Sequence, residues 1–244
     1  MARSAGFGHF TGKLKGLSFY RSSQCKGIVV RAYTPHSKKR IQQDAAFAGL
    51  RNAQQRLSIA AKMGKCIRLG IGPVIDPVKG NNLTSRLVKT MLDSIKEAKN
   101  RPHEGLETIC CNNLRDFKFN QLHAVTAAIA SPIERKRERG FYTVKLKRPE
   151  FKNSINYDFF KVVSSVIGID FSRAIVARAD DVTDMLKVKG EEDIVELNTE
   201  IPEGFPLYLH VVSVRQYSCN AGDKFSGSFN KRFNAADVMD AWVG

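Results

Sequence analysis

The hydrophobic pattern changes its period near residue 105, and this change separates two kinds of structure along the chain. Between about residues 45 and 100, apolar residues recur at helical spacing, whereas after residue 105 short runs rich in Val, Ile, Phe and Tyr alternate with turn residues. Strands that follow helices without alternating with them indicate an α+β fold. We therefore predict a hairpin and two-helix module over residues 1–105 and a second domain over residues 106–244.

A β-hairpin is predicted between residues 10 and 33. Leu14–Tyr20 and Gly27–Tyr33 are β-prone runs on either side of the polar stretch Arg21–Lys26. Because two strands alone are only marginally stable in water, we expect this hairpin to pack against the rest of the chain or against a partner.

A long helix is predicted next, at about Ala45–Leu69, with Asp44 as its N-cap and with Gly70 and Gly72-Pro73 ending it. Along this helix, positions 46, 50, 53, 57, 60, 64 and 67 follow a 4–3 spacing and are Ala, Leu, Ala, Leu, Ala, Gly and Ile. This seam of small residues permits a second helix to approach closely.

The partner for this seam is either a second helix of the chain or another copy of the protein. A second helix is predicted from about Asn82 or Thr84 to Asn100, with an apolar face at Leu87, Met91 and Ile95. On the opposite side of the first helix, positions 51, 55, 58, 62 and 65 are Arg, Gln, Ser, Lys and Lys. This basic ridge is either a solvated face or a contact surface.

The second domain is predicted to be an antiparallel β-sandwich or barrel, because many strands follow one another without helices between them. The predicted strands are Phe117–Ile129, Phe141–Lys147, Phe159–Ile169, Ala174–Arg178, Leu207–Tyr217 and Val238–Val243.

Charge is strongly segregated along the chain. The first 75 residues hold fourteen Lys and Arg but a single acidic residue, Asp44, so nearly all of the net charge of +15 is concentrated there. Residues 151–244 carry ten basic and fourteen acidic groups. A block of nearly one sign raises a positive potential and suits a polyanionic partner.

Several classes of function have no support in the sequence. Five cysteines, at positions 25, 66, 110, 111 and 219, form neither a disulfide framework nor a zinc-binding spacing, and reduced thiols in the cytoplasm are expected. The N-terminus has no apolar segment of a secretory signal, and no apolar run reaches about 18 residues. We therefore predict no membrane partner, no metal, no cofactor and no catalytic residue.

Two further charged motifs are more plausibly surface features than sites. Asp180, Asp181 and Asp184 form a DDxxD string that is expected in a solvated loop, and a metal-dependent enzyme built on it is the third alternative for function. Residues 134–139 (ERKRER) are expected at a solvated hairpin tip, with a phosphate contact as the alternative.

Several short segments along the chain form a set of motifs, namely residues 12–20 (GKLKGLSFY), 30–31 (VR), 37–41 (SKKRI), 44–47 (DAAF), 51–52 (RN), 64–65 (GK), 82–91 (NLTSRLVKTM) and 117–120 (FKFN). In these segments the chain resembles an uncharacterised family that is common in genomes of the Bacteroidota phylum. The resemblance implies a basic Gly-rich hairpin, an Ala-rich helix and a β-rich C-terminal half, in a cytoplasmic or particle-associated protein. It implies no assigned activity, so no functional residue carries over from it.

The leading prediction is a non-enzymatic protein that binds the phosphate backbone of RNA or DNA through its N-terminal module. The alternative is a structural subunit of a phage-related or other large particle, inside a virion-like assembly, that docks its basic arm on an acidic neighbour. The predicted contact residues are Arg21, Lys26, Arg31, Lys38, Lys39, Arg40, Arg51, Lys62 and Lys65.

Overall fold

The computed structural model divides the chain into two compact units, Met1–Gln54 and Gln55–Gly244. It describes residues 3–4, 10–21, 28–32, 37–75, 82–129, 132–147, 159–187, 194–220, 224–227 and 234–244. The boundary predicted at residues 105 and 106 lies inside the second unit, because helices that precede it share a hydrophobic core with strands that follow it.

The first unit contains a four-stranded antiparallel sheet followed by short helices. Its strands, in spatial order, are β1 (Arg3–Ser4), β2 (Phe10–Leu14), β3 (Leu17–Arg21) and β4 (Ile28–Ala32). The helical part comprises α1 (Lys38–Gln43), a 3₁₀ turn (Ala45–Phe47) and the beginning of α2 (Ala48–Ile75).

The predicted hairpin is confirmed as the pairing of β3 with β4, but its first strand is shorter than predicted. Lys15 and Gly16 both adopt positive φ, 43° and 79°, between β2 and β3. Two such residues form the tight turn that suits the right-handed twist of a hairpin, and the glycine adopts this backbone conformation without a steric cost. The segment from residue 10 to residue 21 is therefore a hairpin by itself.

Helix α2 continues beyond the glycine and proline residues that were predicted to end it, so the predicted end was wrong. Pro73 lies inside the helix, which ends at Ile75. The guanidinium of Arg215 donates hydrogen bonds to the carbonyls of Pro73 and Val74, at 3.0 and 2.7 Å. These contacts satisfy carbonyl groups at the end of the helix, and burial of Ile71 and Ile75 stabilises the last turn.

The predicted second helix is confirmed as α3 (Leu83–Asn100). It packs on the C-terminal part of the small-residue seam, where a Cβ placed on Gly64 of α2 would lie 3.5 Å from Cγ2 of Val88, whereas Leu50 and Leu57 of the seam are 44% and 49% exposed. The predicted strand Phe117–Ile129 was wrong. That part of the chain contains isolated bridge residues at Lys118, which pairs with Asp237, and at Ile129, together with the short helix α5 (Val125–Ala128). It follows the unpredicted helix α4 (Leu106–Leu114).

Two antiparallel sheets form the β-rich part of the second unit. The smaller sheet has the order β10–β6–β5, with β5 (Ile133–Arg137), β6 (Phe141–Lys147) and β10 (Ile194–Glu200). The larger sheet is built on the central pair β7 (Phe159–Asp170) and β11 (Leu207–Asn220), and its other strands are β8 (Ile175–Val182), β9 (Leu186–Lys187), β12 (Lys224–Gly227) and β13 (Ala235–Val243).

The larger sheet has a hydrophobic core on each of its faces. Alternation along β7 sends Val163, Ile167 and Ile169 to the core formed with α2, α3 and α4. The intervening residues Val162 and Val166 belong to a second core, shared with the smaller sheet and α5. The predicted α+β class, with a hairpin, helices and C-terminal antiparallel sheets, is thereby confirmed, and the two sheets enclose the second core as a curled sandwich resembling half of a barrel.

Candidate nucleic-acid interface

Strand pairing places several polar and basic residues on one face of the N-terminal sheet. Directly paired residues of an antiparallel sheet project to the same side, and successive residues of a strand alternate between sides. Lys13 pairs with Ser18, and Ser18 pairs with Arg31. Tyr20 lies two residues beyond Ser18 on β3 and pairs with Val29. We call these five residues the basic face.

Arg31 and Tyr20 interact on the basic face. The guanidinium carbon of Arg31 lies 5.1 Å from the centroid of the Tyr20 ring. This is a cation–π distance, and such a contact stabilises an exposed site by about 0.5–1 kcal/mol. Tyr20 keeps 38% of its surface exposed, and Arg31 is exposed as well. The pair thus combines a fixed cation with an accessible aromatic ring.

The other side of the same sheet is largely apolar. It carries Leu14, Leu17, Phe19 and Val30, which we call the apolar face, and Leu14, Leu17 and Val30 are between 41% and 52% exposed. The predicted contact residue Arg21 lies on this side, because it follows Phe19 by two positions on β3. Arg21 and Arg31 therefore cannot contact a ligand together from one face of the sheet.

Two predicted contact residues lie in the first turn of α1. Ser37 is its N-cap, since its hydroxyl accepts a hydrogen bond of 3.1 Å from the backbone N–H of Arg40. Lys38 and Lys39 come directly after this cap, and both side chains are exposed. They are accessible to a partner from solvent.

The single acidic residue of this part of the chain is held by its neighbours. Asp44 accepts a hydrogen bond from the backbone N–H of Ala46 at 3.0 Å and forms an ion pair with Arg40 at 3.3 Å. These contacts, the backbone hydrogen bond first, lower the pKa of Asp44 below its ordinary value. Asp44 therefore stays ionised and offsets the charge of Arg40.

Arg51 has a structural role that the sequence did not indicate. Its guanidinium donates to the backbone carbonyls of Ile41 and Asp44, at 2.8 and 2.7 Å, and the side chain is half-buried. These hydrogen bonds tie α2 to the end of α1. Because this guanidinium is already engaged, we remove Arg51 from the candidate contacts.

Of the remaining candidate residues, two lie on α2 and the others lie outside the described part of the chain. Lys62 and Lys65 are exposed on α2 in the second unit, on the side opposite the buried residues Ala60 and Ile67. The predicted contact residue Lys26 and the aromatic Tyr33 lie outside the described residues.

The DDxxD string does not form the loop that was predicted. Asp180 and Asp181 belong to strand β8, and only Asp184 follows it. Asp180 pairs with Arg178 at 2.9 Å, and Asp181 accepts a 2.6 Å hydrogen bond from the backbone N–H of Asn198. The ion pair lies within β8, and the hydrogen bond links β8 of the larger sheet to β10 of the smaller sheet. Across the described part of the chain, no three His, Cys, Asp or Glu side chains are grouped closely enough to hold a metal ion.

The basic segment at residues 134–139 also differs from its prediction, because most of it forms strand β5 and only its end forms a turn. Lys136 pairs with Glu138, and Glu134 and Lys136 are exposed at a shallow cavity of about 340 Å³. The guanidinium of Arg137 stacks on Trp242, 4.8 Å from the ring centroid, which connects the smaller sheet to β13.

A buried polar cluster between the two sheets was not visible in the sequence. Nε2 of His210 lies 2.9 Å from Oγ of Ser164, which lies 2.6 Å from Oγ1 of Thr199. All three side chains are buried, and burial lowers the pKa of His210 to about 3. A serine and a histidine at this distance resemble part of a hydrolase site, but a substrate has no access to them. The cluster therefore pairs the hydroxyl groups of Ser164 and Thr199 with Nε2 of His210 in the core, whereas Nδ1 of His210 has no hydrogen-bond partner among the described residues.

Comparisons with known proteins identify no relative. No protein-family description, no curated protein and no solved structure matches this chain. In the part of the chain that the structure describes, no helix combines the length and the apolar character that crossing a membrane requires.

Proposed function

We propose that this protein binds the phosphate backbone of nucleic acid through its N-terminal segment, without catalysing a reaction. The observation that carries the proposal is the fourteen-to-one ratio of basic to acidic residues in the first 75 positions. Seven of the predicted contact residues are exposed in the described part of the chain, and they are Arg21, Arg31, Lys38, Lys39, Arg40, Lys62 and Lys65. Exposed cations of one sign attract a polyanion and bind it with little regard to sequence.

Binding of this kind depends strongly on salt, because each neutralised phosphate releases counterions. About six contacts lower the affinity by about three decades between 50 and 200 mM salt. The measurement is a titration of fluorescently labelled RNA and DNA with the full chain at both salt concentrations. Failure to bind either nucleic acid at submillimolar concentration in 50 mM salt would refute the proposal.

A pair of double variants separates local contacts from a general effect of net charge. Lys38→Gln with Lys39→Gln should weaken binding and reduce the magnitude of the salt slope by about 2. Lys187→Gln with Lys224→Gln removes the same charge from exposed positions of the β-rich part. The second double variant should leave the slope unchanged, and equal effects of both would argue against specific contacts in the N-terminal segment.

A second candidate function is that of a structural subunit of a phage-related or other large particle. It is favoured by the apolar face, because phosphates cannot cover Leu14, Leu17 and Val30 but a neighbouring protein can. None of the described residues of the first unit is fully buried, so its sheet gains little stability from a core of its own. Light scattering over a range of concentrations tests this candidate, and a protein that stays monomeric throughout would contradict it.

A further inference from the structure

We propose that the basic face selects single-stranded nucleic acid, by stacking an unpaired base beside the Tyr20–Arg31 pair. This inference rests on the proposed function and adds to it the strand state of the ligand. It is carried by the position of an accessible aromatic ring among cations on one sheet face, an arrangement that only the strand register establishes.

The geometry of the sheet suits a strand that crosses it. Lys13 on β2 and Arg31 on β4 lie on either side of Ser18 on β3, and neighbouring strands are about 4.8 Å apart. The Cα atoms of Lys13 and Arg31 are therefore about 10 Å apart across the face, and Tyr20 lies two residues further along the central strand. A backbone that passes over β3 meets a cation at each side and an aromatic ring between them.

The Tyr20–Arg31 contact prepares this surface for a base. Arg31 lies over the tyrosine ring at 5.1 Å from its centroid, so the planar guanidinium and the ring are already positioned before a ligand arrives. Bases stack on tyrosine rings and on arginine planes, and Arg31 also attracts the adjacent phosphate. A phenylalanine, Phe19, follows Ser18 on β3, but it projects to the opposite, apolar face.

A duplex cannot use this arrangement. Its bases are stacked on one another and expose only their edges in the grooves, so no base is available for the Tyr20 ring unless it is flipped out at an energetic cost. Single strands and loops present such bases freely. Phosphate contacts alone favour the duplex, because its charge density is higher, so a preference for the single strand is a measure of stacking.

The experiment compares three ligands of equal length with the full-length protein in 50 mM salt. They are a fluorescein-labelled single strand of twelve thymidines, its duplex with twelve adenosines, and a twelve-unit abasic deoxyribose phosphate strand. We expect the thymidine strand to bind at least about 10-fold more tightly than the abasic strand, since one stacked base contributes that much.

Variants at the pair identify the surface. Tyr20→Leu and Arg31→Lys should each reduce binding of the thymidine strand by about 5-fold or more and change binding of the abasic strand by less than about 2-fold. Tyr20→Phe keeps the ring and should bind as the parent protein does. Val30→Thr, on the opposite face of the same sheet and 50% exposed, is the matched control for a change in the sheet and should bind as the parent protein does, and circular dichroism verifies that each variant folds.

The outcomes separate the two proposals. The thymidine strand should also bind more tightly than its duplex. An affinity for the thymidine strand that is no greater than that for the duplex or for the abasic strand, or an unchanged preference in Tyr20→Leu, overturns the stacking inference and leaves phosphate binding in place. Absence of binding to all three ligands overturns phosphate binding itself, and the stacking inference with it.

Discussion

The histidine buried between the two sheets should make this protein lose stability in acid, and substitution of that residue should remove the effect. His210 has no exposed surface, and its ring stacks on Tyr142 with 4.0 Å between ring centroids. Burial, with a smaller contribution from the charge of Arg135, lowers the pKa of His210 from 6.5 to about 3. The imidazole is therefore neutral in the folded protein wherever the protein is stable.

The sign of the effect follows from proton binding. Between pH 6.5 and pH 3 the unfolded chain binds a proton at His210 that the folded protein does not bind, so stability falls as the pH falls. At 1.36 kcal/mol for each pKa unit, this residue alone costs about 3 kcal/mol of unfolding free energy between pH 7.5 and pH 4.5. Above pH 6.5, the ordinary pKa of histidine, this residue causes no loss of unfolding free energy.

Asp237 works in the opposite direction and would hide much of this loss in the parent protein. Burial raises the pKa of Asp237 to about 6, although the backbone N–H of Val125 donates to its carboxyl group at 2.7 Å. The folded protein therefore binds a proton at Asp237 more readily than the unfolded chain does. Stability from this group grows as the pH falls below 6, by about 2 kcal/mol at pH 4.5.

A comparison of variants isolates the histidine, since the contribution of Asp237 is common to both proteins. His210→Gln should be less stable than the parent protein at pH 7.5. At pH 4.5, the difference in unfolding free energy between the two proteins should be smaller by about 3 kcal/mol. The assay is urea unfolding followed by the fluorescence of Trp242, the only tryptophan, which stacks on Tyr142 at 5.5 Å and on Tyr208 at 5.3 Å. This signal reports on the sandwich that contains the histidine.

The control is His103→Gln, because His103 is exposed after α3 and its replacement should leave the pH dependence of stability unchanged. The reasoning is refuted if His210→Gln and the parent protein lose the same free energy between the two pH values. It is also refuted if nuclear magnetic resonance of the folded protein shows the His210 ring titrating near pH 6.5.

Two further predictions concern the helical layer. Gly70→Ala should destabilise the protein by about 1–3 kcal/mol despite the better helix propensity of alanine, because a Cβ at Gly70 would lie 2.6 Å from side-chain atoms of Ile167 and of Val176. Gly72→Ala in the same helix meets no atom within 4 Å and should be neutral or stabilising in the same urea assay, so equal losses in both variants would contradict the packing argument. Burial raises the pKa of the Cys110 thiol to about 12, so we expect it to resist Ellman's reagent at pH 8 until urea is added, and labelling of Cys110 in the native protein, detected by mass spectrometry, would refute this.

Much of the architecture follows from local sequence. The β3–β4 hairpin was predicted from β-prone runs around a polar turn, and α3 was predicted from the spacing of its apolar residues. Asp44 was predicted as an N-cap and does accept the backbone N–H of Ala46, although it caps the 3₁₀ turn before α2. These features depend on residues within a few positions of one another, which a single sequence displays directly.

The predictions that failed depend on contacts between distant residues. The end of α2 is set by Arg215, which is 142 positions away from Pro73 in the sequence. The strand expected after residue 117 is replaced by isolated bridging, in which the backbone N–H of Phe119 donates to the carbonyl of Ala236 on β13. Neither partner could be identified from the local pattern.

Some features of the candidate interface could likewise be predicted from the sequence, whereas others depend on the fold. Composition alone located the positive charge in the first 75 residues, and no folding detail can change that count. Only the register of β2, β3 and β4 decided that Arg31 and Tyr20 share a face that Arg21 does not, and only the fold engaged Arg51 with backbone carbonyls. Charge is a property of each residue, whereas the direction and the partners of a side chain are set by the strands and loops that pack around it.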